Sequence, residues 1–202
     1  MGSRPGHGNW DEQYAPDTPP PPWEIGGVQP ALVALLEATS IQSPVLDVGC
    51  GTGDLALLVA ERGHQVVGVD CSSRAVTAAR EKAAARALDI DVRVGDAEHL
   101  EGLGVRPRTV LDSGLLHNLD DDGRRAYVDG LTTICGTGAR VCVLAVQQEA
   151  GPGWDLTREM LQQLFSAPAW ARTRIQPADV LAHVDGEVLH LPSLLLTTER
   201  AC

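Results

Sequence analysis

The chain has 202 residues, 44 % of them hydrophobic and 21 % charged, with a formal charge of −11. One domain of that size buries a full core without a metal or disulfide staple, and its negative charge repels phosphate backbones and anionic lipid alike. A nucleic-acid substrate and a membrane surface are therefore not expected as partners.

Five cysteines, at 50, 71, 135, 142 and 202, form no CxxC pair. Reduced thiols in a cytoplasmic protein suit that count. The opening MGSRPGHGNWDE lacks an apolar centre, so it predicts no signal peptide, and residues 1–3 read as a cloning remnant. No apolar run is long enough to cross a bilayer.

Residues 1–27 carry Pro16 and Pro19 to Pro22, with Gly26 and Gly27 behind. They predict an extended loop. PALVALLEAT (30–39) has leucines at helical spacing and Pro30 in its first turn. Strands and helices then alternate. Strands are predicted at 45–49, 65–70, 90–96, 108–114 and 139–147, and helices at 53–62, 72–88, 120–135 and near 155–165. Two strand-like runs follow, 170–176 and 188–200. Alternation implies a parallel, doubly wound sheet whose ligands bind beyond the carboxyl ends of its strands.

At the end of the first strand stands VLDVGCGTGD (45–54). Gly49, Gly51 and Gly53 permit positive φ and remove the Cβ atoms that would keep a ligand off the backbone. A dinucleotide fingerprint G-x-G-x-x-G would need glycine at 54. The chain has Asp54, an acid where pyrophosphate would sit, which tells against a nicotinamide oxidoreductase. Asp47 suits a cationic ligand group, Asp70 at the second strand's end suits ribose hydroxyls, and Asp96 at the third suits an exocyclic amine. S-adenosylmethionine, cationic and without phosphate, meets that charge pattern.

These stretches resemble class I S-adenosylmethionine-dependent methyltransferases. VLDVGCGTGD is similar to their first motif, VVGVD with Asp70 to the second, VGDAEHL with Asp96 to the third, and VLDSGLLHNL to the fourth-strand region. PPWEIGGVQPALVALLE resembles the entry segment of thiopurine- and tellurite-resistance-type enzymes. DSGLLHNLDDDGRRAYVDGL resembles a bacterial subgroup with benzoquinone- and quinolone-type members. The resemblance implies a Rossmann-like, seven-stranded, mostly parallel sheet with an antiparallel last strand. It also implies S-adenosylmethionine as cofactor, S-adenosylhomocysteine as product, and a small-molecule acceptor from secondary or quinol metabolism. The expected cofactor residues are Asp47, Gly49, Cys50, Gly51, Asp70, Cys71, Asp96, Ala97, Ser113 and Trp23. Relatives often carry an aromatic residue where this chain has Leu116.

The aromatics number four Trp, two Tyr and one Phe. Trp10, Tyr14 and Trp23 fall in residues 1–29, read as a lid over a domain at 30–202. Trp154 sits in a Gly-Pro-Gly loop. With Leu116, Trp10, Tyr14 and Trp154 are the expected acceptor and lid residues, around a flat or apolar acceptor. His117 is a candidate general base, and Asp112 beside it serves equally as a loop anchor. His99 is a surface position near Asp96, and the run Asp120 to Asp122 is a helix cap, so no metal site is expected. The alternative reading is a protein that binds S-adenosylmethionine for a rearrangement or cyclisation without methyl transfer. A monomer or homodimer is expected.

Overall fold

The structure, a computed structural model, describes residues 9–202, so the readings that concern residues 1–8 lie outside the described residues. The chain runs α1 (Trp10–Gln13), α2 (Pro30–Ala38), β1 (Val45–Val48), α3 (Asp54–Glu61), β2 (Val66–Asp70), α4 (Ser73–Ala85), β3 (Asp91–Val94), β4 (Thr109–Ser113), α5 (Asp121–Ile134), β5 (Arg140–Val146), α6 (Arg158–Leu164), β6 (Trp170–Val184) and β7 (Glu187–Arg200). Short 3-10 turns at Ala97–Leu103, Leu116–Asn118 and Gln148–Ala150 link them.

One seven-stranded sheet has the order β3-β2-β1-β4-β5-β7-β6. β1 to β5 are parallel, and β7 enters antiparallel between β5 and β6. The expected topology is therefore present. β1 lies at the centre and is buried along its whole length, which is why it reads as a nearly continuous apolar run. Leu46, Val48, Val110, Tyr127 and Leu131 pack on one face. Leu32, Val45, Leu55, Val59, Leu111 and Leu144 pack on the other.

Local chemistry sets the helix ends. The Ser72 hydroxyl accepts the Ala75 amide at 3.1 Å to start α4, and Asp120 accepts the Gly123 amide at 2.9 Å to start α5. Gly53, at φ 89°, turns the chain into α3. A Cβ there would lie 2.9 Å from that of Ala79, so glycine lets α4 pack against the turn. Among the described residues no helix is long and apolar enough to cross a membrane.

Two regions depart from the sequence reading. Residues 10–13 form a helical turn inside the expected loop. The last two strands are longer than their apolar runs and pair from Trp170–Arg200 to Val184–Glu187 around Asp185 and Gly186, both at positive φ. β5 stops at the Val146–Ser193 pair. Beyond it, residues 179–192 continue as a two-stranded arm. The N-terminal segment is bound to this arm. Gln29, buried, donates Nε2 to the Leu181 carbonyl at 3.0 Å and accepts the Leu181 amide at 2.8 Å. The His183 amide donates to the Pro22 carbonyl at 2.7 Å.

Gln29→Ala strips both partners from the Leu181 peptide groups. Stability is expected to fall by about 1–3 kcal/mol, and the N-terminal segment to become more sensitive to limited proteolysis. An unchanged urea midpoint with unchanged proteolysis would show that this clamp does not hold the segment.

Candidate active site

A cavity of about 600 Å³ opens above the carboxyl ends of β1, β2 and β4, within the range that takes a small organic ligand. Its floor is the turn after β1. Gly49 and Cys50 both donate to the Val69 carbonyl, at 2.8 and 3.0 Å, and Gly53 donates to the Cys50 carbonyl at 2.9 Å. Gly49 and Gly51 have φ of 69° and 52°. A Cβ on Gly49 would lie 2.8 Å from that of Leu115, and one on Gly51 would lie 3.1 Å from the Tyr14 hydroxyl. Bare backbone is thus needed both to form the turn and to admit its neighbours.

Three carboxylates border this floor. Each Asp70 oxygen already accepts one backbone amide at 2.8 Å, from Gly51 and from Ser72. A carboxylate has about four acceptor positions, so Asp70 keeps capacity for a ligand's hydroxyls while bracing the turn. Asp96 caps the following 3-10 turn through the Glu98 amide at 2.9 Å and touches His99 at 3.1 Å. It acts as cap and cavity wall together. Asp47 is different. It is buried to 1 % exposure, and neither oxygen has a hydrogen-bond partner. Burial and then the charge of Asp112 push its carboxyl up to about 8, opposed only by a weak approach of the Ala56 amide.

Asp54 does not stand as an uncompensated acid at the helix start. Lys82 binds it at 2.9 Å and the Thr52 hydroxyl at 2.7 Å, and Thr52 donates to Glu24 at 2.7 Å. Its charge therefore weighs less against a phosphate than its position in the sequence suggests.

Residues 9–29 cover this end. Asp11 accepts from the Ser72 and Ser73 hydroxyls and the Arg74 amide. Trp23 donates its ring N–H to the Tyr14 hydroxyl at 3.1 Å and meets Trp10 edge-on at 5.9 Å. Trp10, Tyr14 and Trp23 thus form one cluster above the glycine turn. Tyr14, one of the expected acceptor and lid residues, lines the cavity with its hydroxyl against Gly51. Cys50, Cys71, Ala97 and Ser113 line the cavity as expected.

Beyond Leu115, which lies against Gly49, the lining is more apolar, with Leu119, Val146 and Trp154, and with Val180, Ala182 and Leu191 from the β6–β7 arm. His117 and Trp154 meet edge-on at 4.9 Å. The His117 Nδ1 accepts the Val146 amide at 3.1 Å. Leu116, expected in the acceptor pocket, is fully buried in the core, because the 3-10 turn after β4 directs it inward. Leu115 takes the cavity position. Asp112 is the loop anchor, accepting the Leu115 and Leu116 amides at 2.8 and 3.2 Å.

Two features of this end were not foreseen. One is the arm, whose only sequence signal is the Asp-Gly turn at 185–186. The other is Arg124, a guanidinium 1 % exposed that binds Asp155 at 2.7 Å, Asp121 at 3.3 Å and the Leu116 carbonyl at 3.4 Å. It ties the His117 turn to the loop carrying Trp154, and nothing in its sequence position announces that.

A family described as "Methyltransferase domain" matches residues 45–135. The 2-heptyl-1-hydroxyquinolin-4(1H)-one methyltransferase of Mycobacteroides abscessus is 33 % identical over 172 residues, 82 % of this chain and 75 % of that protein. A solved structure described as "Conversion of a Disulfide Bond into a Thioacetal Group during Echinomycin Biosynthesis" is 35 % identical with a TM-score of 0.85, covering 95 % of this chain and 91 % of the other. Magnesium protoporphyrin IX methyltransferase from Synechocystis PCC 6803, with bound S-adenosylmethionine, shares the fold at 18 % identity and a TM-score of 0.63, over 85 % of this chain and 77 % of the other.

S-adenosylmethionine suits the cavity floor, since its ammonium supplies the cation that the unpartnered Asp47 lacks. A carboxyl at about 8 is mostly protonated at pH 7 in the free protein. Cation binding favours the ionised form, so cofactor binding at pH 7 is expected to release up to one proton. Titration calorimetry in buffers of different ionisation enthalpy measures it. Asp47→Asn should abolish the release and weaken binding, and equal heats in all buffers for the unaltered protein would contradict the assignment. The sign for stability follows from the same shift. A raised carboxyl destabilises the free fold progressively as pH rises from about 4 to about 8, and Asp47→Asn should flatten that slope. With this floor and these likenesses together, the chain belongs to the class I S-adenosylmethionine-dependent methyltransferases of small-molecule type.

Proposed function

We propose that the enzyme methylates O, N or S of a small, flat and largely apolar acceptor, with a hydroxylated heteroaromatic of the quinolone kind as the preferred class. The observation that carries this reading is the apolar end of the cavity, where Trp154 stands beside His117 against Leu115, Leu119 and the arm residues Val180 and Leu191. The likeness to a hydroxyquinolone methyltransferase supports the class. The likeness to a structure concerned with turning a disulfide into a thioacetal supports a second reading, in which the acceptor is sulfur and a rearrangement accompanies or replaces simple methylation.

When bound, the cofactor supplies an electrophilic methyl, and the acceptor's lone pair forms the new bond as the methyl–sulfur bond breaks with its electrons left on sulfur. The protein's share is placement and dryness. Residues 9–29, the described part of the N-terminal segment, act as a lid. Within it, Asp11, Glu24 and Gln29 fasten the described part to α4, to the glycine turn and to the arm. The arm supplies the acceptor's far wall.

The test is S-adenosylhomocysteine formation across hydroxyquinolones, phenols, aromatic thiols and disulfides. Tight cofactor binding with no product from any of them would overturn methyl transfer. Ala182→Phe adds a ring to the arm's contribution to the cavity lining. It is expected to lower kcat/KM for the bulkier acceptors by about tenfold or more while leaving cofactor affinity unchanged, since a displaced acceptor loses its reactive geometry. Equal effects on large and small acceptors would show that the arm does not select them.

A further inference from the structure

Resting on the methyl-transfer reading, we propose that His117 is a neutral hydrogen-bond donor to the acceptor and removes no proton. The substrates are then nucleophiles that arrive with a free attacking lone pair: an acidic hydroxyl already ionised near neutral pH, or a divalent sulfur.

A backbone amide can only donate. The Val146 N–H at 3.1 Å from Nδ1 therefore requires a lone pair on that nitrogen, and the neutral ring carries its proton on Nε2. In that tautomer no lone pair remains to take a proton. The ring is fixed from several sides. Trp154 lies edge-on at 4.9 Å, and Gly114 leaves room where a Cβ would lie 3.2 Å from Cε1.

The charged groups around it oppose protonation or are committed elsewhere. From α5, the Arg124 guanidinium acts on the ring, itself held by Asp121 and by Asp155 of the Trp154 loop. From β4, Asp112 is bonded to the Leu115 and Leu116 amides. Burial first, and Arg124 second, hold the imidazole down to about 3. Nearby, Asn118 donates to the Gly114 carbonyl at 2.7 Å and Asp120 caps α5. A neutral ring also avoids placing a second positive charge beside a cationic methyl donor.

The chemistry balances without a protein base. An anionic hydroxyl becomes a neutral ether, and a neutral sulfur becomes a sulfonium. In neither does a proton pass to the protein.

The first test needs no turnover. Long-range proton–nitrogen spectra of the full chain labelled with 15N-histidine, with His117 assigned through His117→Gln, should show the Nε2–H neutral form unchanged from pH 5 to 9. A His117 signal that titrates near pH 6–7, or an Nδ1–H form, overturns the proposal. The second test is kcat/KM against pH for phenols of graded acidity. The rising limb should move with each phenol's own pKa. His117→Gln, which keeps a donor, should follow the same profile, and His117→Leu should lose about tenfold, the worth of one hydrogen bond. A limb fixed in pH for every acceptor and absent from His117→Gln would identify a base and sink the proposal. A bound cofactor with no turnover from any acceptor counts against methyl transfer itself, while the spectra still decide the state of His117.

Discussion

A carboxyl group without a hydrogen-bond partner sits on the central strand of the sheet. Burying such a group is costly, and Asp47 bears that cost two residues before the turn where Gly49 and Gly51 leave the backbone bare. Apolar clusters pack on both faces of the sheet around it. A cationic ligand group resolves the imbalance, so the instability of the free site becomes affinity. The remaining acids are already bonded: Asp70 to two amides, Asp112 to two more and Asp54 to Lys82. Asp47 alone of these is left waiting for a partner.

Around that point distant parts of the chain line one cavity. The cofactor end is closed by the N-terminal segment, tied to α4 through Asp11 and to the glycine turn through Glu24 and Thr52. The β6–β7 arm adds Val180, Ala182 and Leu191 to the lining, and Gln29 and Pro22 bond the N-terminal segment to it. The N-terminal segment and the arm are thus bonded to each other over the cavity. Arg124 does similar work beneath the acceptor, linking the His117 turn and the Trp154 loop through one buried guanidinium.

The sheet and the cofactor floor were legible because their causes are local. Short apolar runs mark β1 to β5, Ser72 and Asp120 mark helix starts, and alternate glycines mark the turn. What escaped depends on contacts far apart in sequence. β6 looked irregular because Pro177 and polar residues interrupt it, and its pairing with Gln29 spans 152 positions. Leu115 and Leu116 are alike as residues, and only the 3-10 turn decides which one faces the cavity. His117 is a candidate base in the sequence, and the amide that meets its Nδ1 belongs to Val146, on β5 and far along the chain.

The most direct test of the role given to Asp47 is a crystal structure with S-adenosylhomocysteine. The account predicts the ligand along the Gly49–Gly51 turn, its ammonium directed to Asp47 and its ribose to Asp70, with open volume left beside His117 and Trp154. A ligand whose adenine or ribose fills the space next to Trp154, leaving Asp47 still unpartnered, would contradict it.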